Sequence, residues 1–212
     1  MEAVEHLQLR DIIIFDLGGV LIDWNPRYLY RKLFAGDEAA MEHFLANVCT
    51  FAWHERHDAG ERFADTRVEL KTKHPDHAAL IDLWGDRHAE MYGGAIEGSV
   101  DILERLAARN VPLYAITNFP AETFPVARDL FGFLSHFRDV AVSGEERVIK
   151  PDPRLYKILL ERNRIDPRRA VYIDDNAKNI EVANALELHG IHFKEPAQLE
   201  AELAGLGLLD RR

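Results

Sequence analysis

The 212-residue sequence holds one cysteine, Cys49, so no internal disulfide can form. Its apolar neighbours Phe44, Leu45, Val48 and Phe51 make a buried, inert thiol the expectation. No uncharged apolar run is long enough to span a membrane. The opening residues, Met1-Glu-Ala-Val-Glu-His, lack the basic and then apolar pattern of a secretory signal, so a cytoplasmic location is expected. Positive charge is also short: 26 Lys and Arg face 36 Asp and Glu, a formal net charge of −10. Such a surface repels nucleic acid and anionic lipid, so neither is an expected partner. Any site for a small anion must therefore bring its own positive charge.

What is present is the composition of an ordinary globular protein, 47% hydrophobic and 29% charged, with no internal repeat. Four short apolar runs, 12–15, 113–116, 140–142 and 171–173, read as buried strands, with a weaker fifth at 190–193. Helical stripes separate the later runs: Val100, Leu103, Leu106 and Ala107 in one, Tyr156, Leu159 and Leu160 in another. Asp152-Pro153 and Asp166-Pro167 look like N-caps followed by proline in the first helical turn. Alternating strands and helices predict an α/β fold, a Rossmann-like parallel sheet with helices on both faces.

The stretch between the first two strands is far longer than a crossover helix requires and shows no convincing strand. It carries apolar and aromatic residues at helical spacing (Tyr28, Leu29, Leu33, Phe34; Leu80, Leu83, Trp84, Met91), interrupted by Gly36, Gly60 and Pro75. A small helical bundle inserted into the α/β unit is the expectation. Residues 1–22 and 95–212 would form the core and 23–94 the insert, with Asp23 to Pro26 as exit and Gly93-Gly94 as return hinge. The segment after Leu199 is compatible with a final core helix or with an interface, and a monomer or a homodimer is equally consistent with the sequence.

In open α/β sheets ligands bind at the carboxyl ends of the strands. Asp16-Leu-Gly-Gly-Val follows the first strand, Thr117-Asn118 the second, Lys150-Pro151 lies near the third, and Asp174-Asp175 with Asn179 follows the fourth. Singly, each has an ordinary reading as a cap, a loop or a solvated charge. Two adjacent acids, however, repel each other unless a cation or hydrogen-bond donors offset them. Gathered at one sheet edge, the set suits phosphoryl transfer. Asp16 can be nucleophile and magnesium ligand, and a second acid from Asp174-Asp175 completes a hard oxygen site for Mg²⁺. Lys150, Thr117 and the backbone N–H of Asn118 can hold phosphate oxygens.

The order and context of these motifs resemble the haloacid dehalogenase-like (HAD) hydrolase superfamily, in the branch with a helical cap inserted straight after the first motif. The resemblance rests on Phe15-Asp-Leu-Gly-Gly-Val-Leu21, Ile116-Thr-Asn118, Lys150-Pro151 and Ile173-Asp-Asp-Asn-Ala-Lys-Asn179. It implies an aspartyl-phosphate on Asp16. It also implies Mg²⁺ bound by Asp16, the carbonyl of Gly18 and Asp175, with Asp174 behind them and Asn179 orienting the acids. The implied substrate is a small phosphomonoester such as a sugar phosphate.

Phosphatases of this superfamily usually carry an aspartate two residues after the nucleophile, as proton donor to the leaving alcohol; here that position is Gly18. The rival reading is a 2-haloacid dehalogenase, in which the same aspartate displaces halide without metal or acid. The retained pair Asp174-Asp175 speaks against it. A phosphoacceptor signalling domain would place the acidic pair first and the acceptor later, the reverse of this order. A binding protein without activity would have no need of Asp16, Lys150 and Asp175. Within the insert, the run Phe51-Ala-Trp-His-Glu-Arg-His-Asp58 offers His54 as a replacement acid, and Trp24 as a pocket wall is the further expectation.

Overall fold

The computed structural model describes residues 10–210. The N-terminal stretch read above for a signal lies outside them. In chain order the elements are β1 (Ile12–Phe15), β2 (Ile22–Trp24), α1 (Arg27–Leu33), α2 (Glu38–Asn47), α3 (Phe51–Asp58), α4 (Phe63–Lys73), α5 (Ala78–Asp86) and β3 (Tyr92–Ala95). They continue with α6 (Glu97–Ala108), β4 (Leu113–Thr117), α7 (Phe124–Leu130), β5 (Asp139–Val142), α8 (Ser143–Glu146), α9 (Pro153–Asn163), β6 (Ala170–Asp174), α10 (Ala177–Ala185), β7 (His189–His192) and α11 (Pro196–Gly205).

The five apolar runs form one parallel sheet in the order β5-β4-β1-β6-β7. Alternation of side chains along each strand gives the sheet two buried faces. Ile13 and Phe15 of β1 pack with Leu103 and Leu106 of α6 and with Leu199 and Leu203 of α11. Ile12 and Ile14 pack on the other face with Leu155 and Leu159 of α9 and Ile180 of α10. This is the expected α/β layering, and α11 closes it as a core helix. Because β1 lies between β4 and β6, the strand order reverses there, and a cleft opens at the carboxyl ends of these strands.

Two expectations change. The long stretch between β1 and β4 does contain strands: β2 and β3 pair antiparallel, Ile22 with Ala95 and Asp23 with Gly94, at the exit and return positions. Gly93 and Gly94 are required there. A Cβ on Gly93 would fall 2.2 Å from Asp23 Oδ2, which accepts a 2.6 Å hydrogen bond from Tyr28, and Gly94 has φ +125, in the left-handed region. Asp166, in turn, caps only the short 3-10 turn Pro167–Arg169 rather than an α-helix.

Helices α1 to α5 bury a third apolar cluster of their own, built on Tyr30, Phe44, Trp53, Ile81 and Trp84. Cys49 is buried in it, and burial pushes its thiol well above the ordinary range. Among the described residues no helix is long and apolar enough to cross a membrane.

Candidate active site

Asp16 stands one residue past β1, where its own N–H donates to Ile173 O at 2.8 Å and so ties it to β6. Its Oδ1 accepts from Leu17 N at 2.7 Å and pairs with Lys150 Nζ at 2.8 Å. Lys150 comes from the loop between α8 and α9, and Asn118 fixes that loop: Lys150 N donates to Asn118 Oδ1 at 2.7 Å, and Asn118 Nδ2 donates to Lys150 O at 3.1 Å. The ammonium then has three acceptors, Asp16, Asp174 Oδ2 at 2.8 Å and Ile116 O at 3.2 Å.

Asp174, fully buried, is the best-satisfied acid. Besides Lys150 it accepts from the Tyr172 hydroxyl, from Asn176 N at 2.8 Å and from Asn179 Nδ2 at 3.0 Å on both oxygens. Burial opposes its ionisation, but Lys150 and these donors outweigh burial and hold the carboxyl below its usual range. Asp16 has fewer donors. Burial and the charges of Asp174 and Asp175 push it well up, against the pull of Lys150. Asp175 is raised by burial and by Asp174.

One ammonium therefore faces three carboxylates, which offer oxygens within 4.8 Å of one another. An all-oxygen donor set carrying uncompensated negative charge fits a hard divalent cation. Asp174 spends both oxygens on protein donors, which leaves Asp16 and Asp175 as the acids with oxygens to spare.

The acids open on a cavity of about 690 Å³, within the size range of small-molecule sites. Asp16, Gly18, Lys150 and Asp175 line its sheet side, and Trp24, His54, Asp58 and His88 line the side formed by the insert. Trp24 does form a wall, its ring stacked on His54 with centroids 4.7 Å apart. Asn118 and Asn179 also line the cavity, whereas Thr117, buried at the end of β4, does not.

His54 reaches the cavity, but not as an acid. Its Nδ1 accepts the indole N–H of Trp84 at 3.3 Å, and burial, with His88 and His57 adding to it, holds the ring well below its ordinary range and hence neutral.

A model of the haloacid dehalogenase-like hydrolases matches residues 10–186. The chain belongs to this family. It is a hydrolase. It is 24% identical over 199 residues to the sesquiterpene phosphatase astK of Aspergillus oryzae, covering 91% of this chain and 94% of that one. A phosphoglycolate phosphatase of Mesorhizobium japonicum is 27% identical over 188 residues, covering 83% and 79%. Among solved structures, a HAD family enzyme from Bacteroides thetaiotaomicron in complex with magnesium and inorganic phosphate superposes with a TM-score of 0.66 at 22% identity, covering 87% of this chain and 94% of that one.

Three residues escaped the sequence reading. Tyr172 shares a strand face with Asp174 two residues on, and Asp58 shares a helix face with His54 four residues back, so periodicity offered a signal for both. His88 had none, since only the packing of α3 against the end of α5 brings it to the cavity.

Proposed function

We propose that this hydrolase is a Mg²⁺-dependent phosphatase of small phosphomonoesters in which Asp16 attacks phosphorus. The observation that carries the reading is the cluster of Asp16, Asp174 and Asp175 around Lys150 at the floor of the cavity. Phosphatase names among relatives that span most of the chain support it. Asp16, the Gly18 carbonyl and Asp175 would hold the ion, with Asp174 and Asn179 behind them. Bound there, Mg²⁺ would offset the charge that separates an anionic ester from an anionic nucleophile.

The protein's own groups do the rest. Lys150 holds the Asp16 carboxylate by one oxygen, leaving the other free to attack, and its charge balances the phosphoryl oxygens. Asn118, by pinning the Lys150 loop, is a positioning residue, and its backbone N–H is the candidate phosphate donor, a role that Thr117, buried away from the cavity, does not share. The helices of residues 23–94 act as a cap that shields the acyl phosphate from bulk water, with Trp24 and His54 as the apolar wall against which the substrate's organic part rests.

Release of halide by Asp16 from a 2-haloacid is the competing chemistry, and Gly18 is compatible with it. Assay of p-nitrophenyl phosphate and a 2-haloacid, each with Mg²⁺ and with EDTA, separates the two. The phosphatase reading expects ester hydrolysis that EDTA abolishes and no halide release. Metal-independent halide release without ester hydrolysis would replace it by the dehalogenase.

A further inference from the structure

A phosphatase with glycine at position 18 needs a proton donor for the departing alcohol, and the cavity restricts the choice. Lys150 commits its ammonium to Asp16, Asp174 and Ile116 O. His54 and His88 are neutral rings, which give up a proton only by becoming imidazolate. His192 lies on the rim with Nε2 against Asp175 O at 2.9 Å. One other carboxyl lines the cavity besides Asp16 and Asp175: Asp58, 4% exposed, the last residue of α3. Its Oδ1 has no hydrogen-bond partner among the described residues, and the nearest cationic candidate, His54 Nε2, is 3.7 Å away.

We propose that Asp58, delivered by the inserted helices, is the general acid and then the general base of the reaction, in the place that Gly18 leaves vacant. The inference rests on the phosphatase reading. In the first step an Asp16 oxygen bonds to phosphorus, the bond from phosphorus to the ester oxygen breaks, and the Asp58 carboxyl gives its proton to that oxygen, so the alcohol leaves neutral. In the second, the Asp58 carboxylate takes a proton from water as the water oxygen bonds to phosphorus. The bond from phosphorus to Asp16 breaks, releasing phosphate and restoring both acids.

The surroundings suit the task. α3 ends flush on the sheet domain: a Cβ on Gly60 would lie 2.8 Å from the Gly144 carbonyl of α8, and Phe63 N donates to Glu122 Oε2 at 2.7 Å. The carboxyl sits at the negative end of the α3 dipole, which favours its protonated form. Burial, with the charge of Glu55 on the same helix, pushes it up to about 7, and the facing charge of Lys150 pulls the other way.

The test compares phenyl phosphate, whose leaving group needs a proton, with p-nitrophenyl phosphate, whose leaving group does not. Asp58→Asn should lower kcat/KM for phenyl phosphate by about 10²–10⁴-fold and for p-nitrophenyl phosphate by less than about tenfold. It should also release p-nitrophenolate in a burst equal to the enzyme present, because hydrolysis of the acyl phosphate has lost its base. Equal losses on both esters, or none, would overturn the assignment.

The unmodified enzyme supplies a second measurement that does not depend on the variant folding. Its kcat/KM for phenyl phosphate should fall above a pH of about 7 while that for p-nitrophenyl phosphate does not. Identical profiles would overturn the proposal as well. Failure of the unmodified enzyme to cleave either ester in Mg²⁺ would instead reject the phosphatase reading itself.

Discussion

Two buried polar clusters face each other across the cavity, one at the end of the parallel sheet and one on the inserted helices. In the first, Lys150 has three acceptors and Asp174 four kinds of donor, and the charges are held in place by bonds that share a network. In the second, His57 Nδ1, His88 Nδ1 and Asp58 Oδ1 have no partner among the described residues. Burial holds His57 down to about 3 and His88 down to about 4, and pushes Asp58 up to about 7, so the two rings are neutral near pH 7 while Asp58 is at its midpoint there. A low-dielectric site can keep a charge only where bonded partners replace water. The difference separates the groups that must stay ionised throughout a reaction from those that can exchange a proton.

Breaking the first cluster should have the larger effect. Lys150→Met leaves Asp16 and Asp174 without their cation, and breaking a buried ion pair in this way destabilises by about 3–5 kcal/mol. Denaturant unfolding reads this as a drop in midpoint together with loss of hydrolysis. An unchanged midpoint would mean that the network does not hold the sheet edge together.

The second cluster should respond with the opposite sign, and only as pH rises above about 4. Asp58 is raised from 3.8 to about 7 on folding, so below pH 4 it is protonated in both states and has no effect. As pH rises from about 4 to about 7 the unfolded chain loses the proton and the folded one keeps it, which lowers stability, and above 7 the deficit is constant. Asp58→Asn removes that deficit and should stabilise the protein above pH 7 by up to about 4 kcal/mol, with no gain near pH 4. Thermal unfolding of the two proteins across this range measures the gap. A gap independent of pH would place Asp58 in ordinary solvent.

The sheet was legible in the sequence because its strands, buried on both faces, are short unbroken apolar runs such as Ile12 to Phe15 and Val171 to Ile173. The strands β2 and β3 were not, because Ile-Asp-Trp and Tyr-Gly-Gly-Ala alternate in nothing, and only pairing with each other makes them strands. Asp16, Lys150 and Asp174 could be read at strand ends because topology alone gathers them. The insert's contribution was readable only in part. His54 and Trp24 do line the cavity, but His54 is held neutral by its burial, with His88 more than thirty residues away adding to it, and Asp58 stands out among 36 acids only once docking of α3 has buried it.

Asp16 is the nucleophile of the proposed reaction, and its replacement by asparagine is the most direct test of that role. With Mg²⁺ present, Asp16→Asn should lower kcat/KM for p-nitrophenyl phosphate by about a thousandfold or more, because the amide is a far weaker nucleophile than the carboxylate. An Asp16→Asn variant that hydrolysed the ester as fast as the unmodified protein would contradict it.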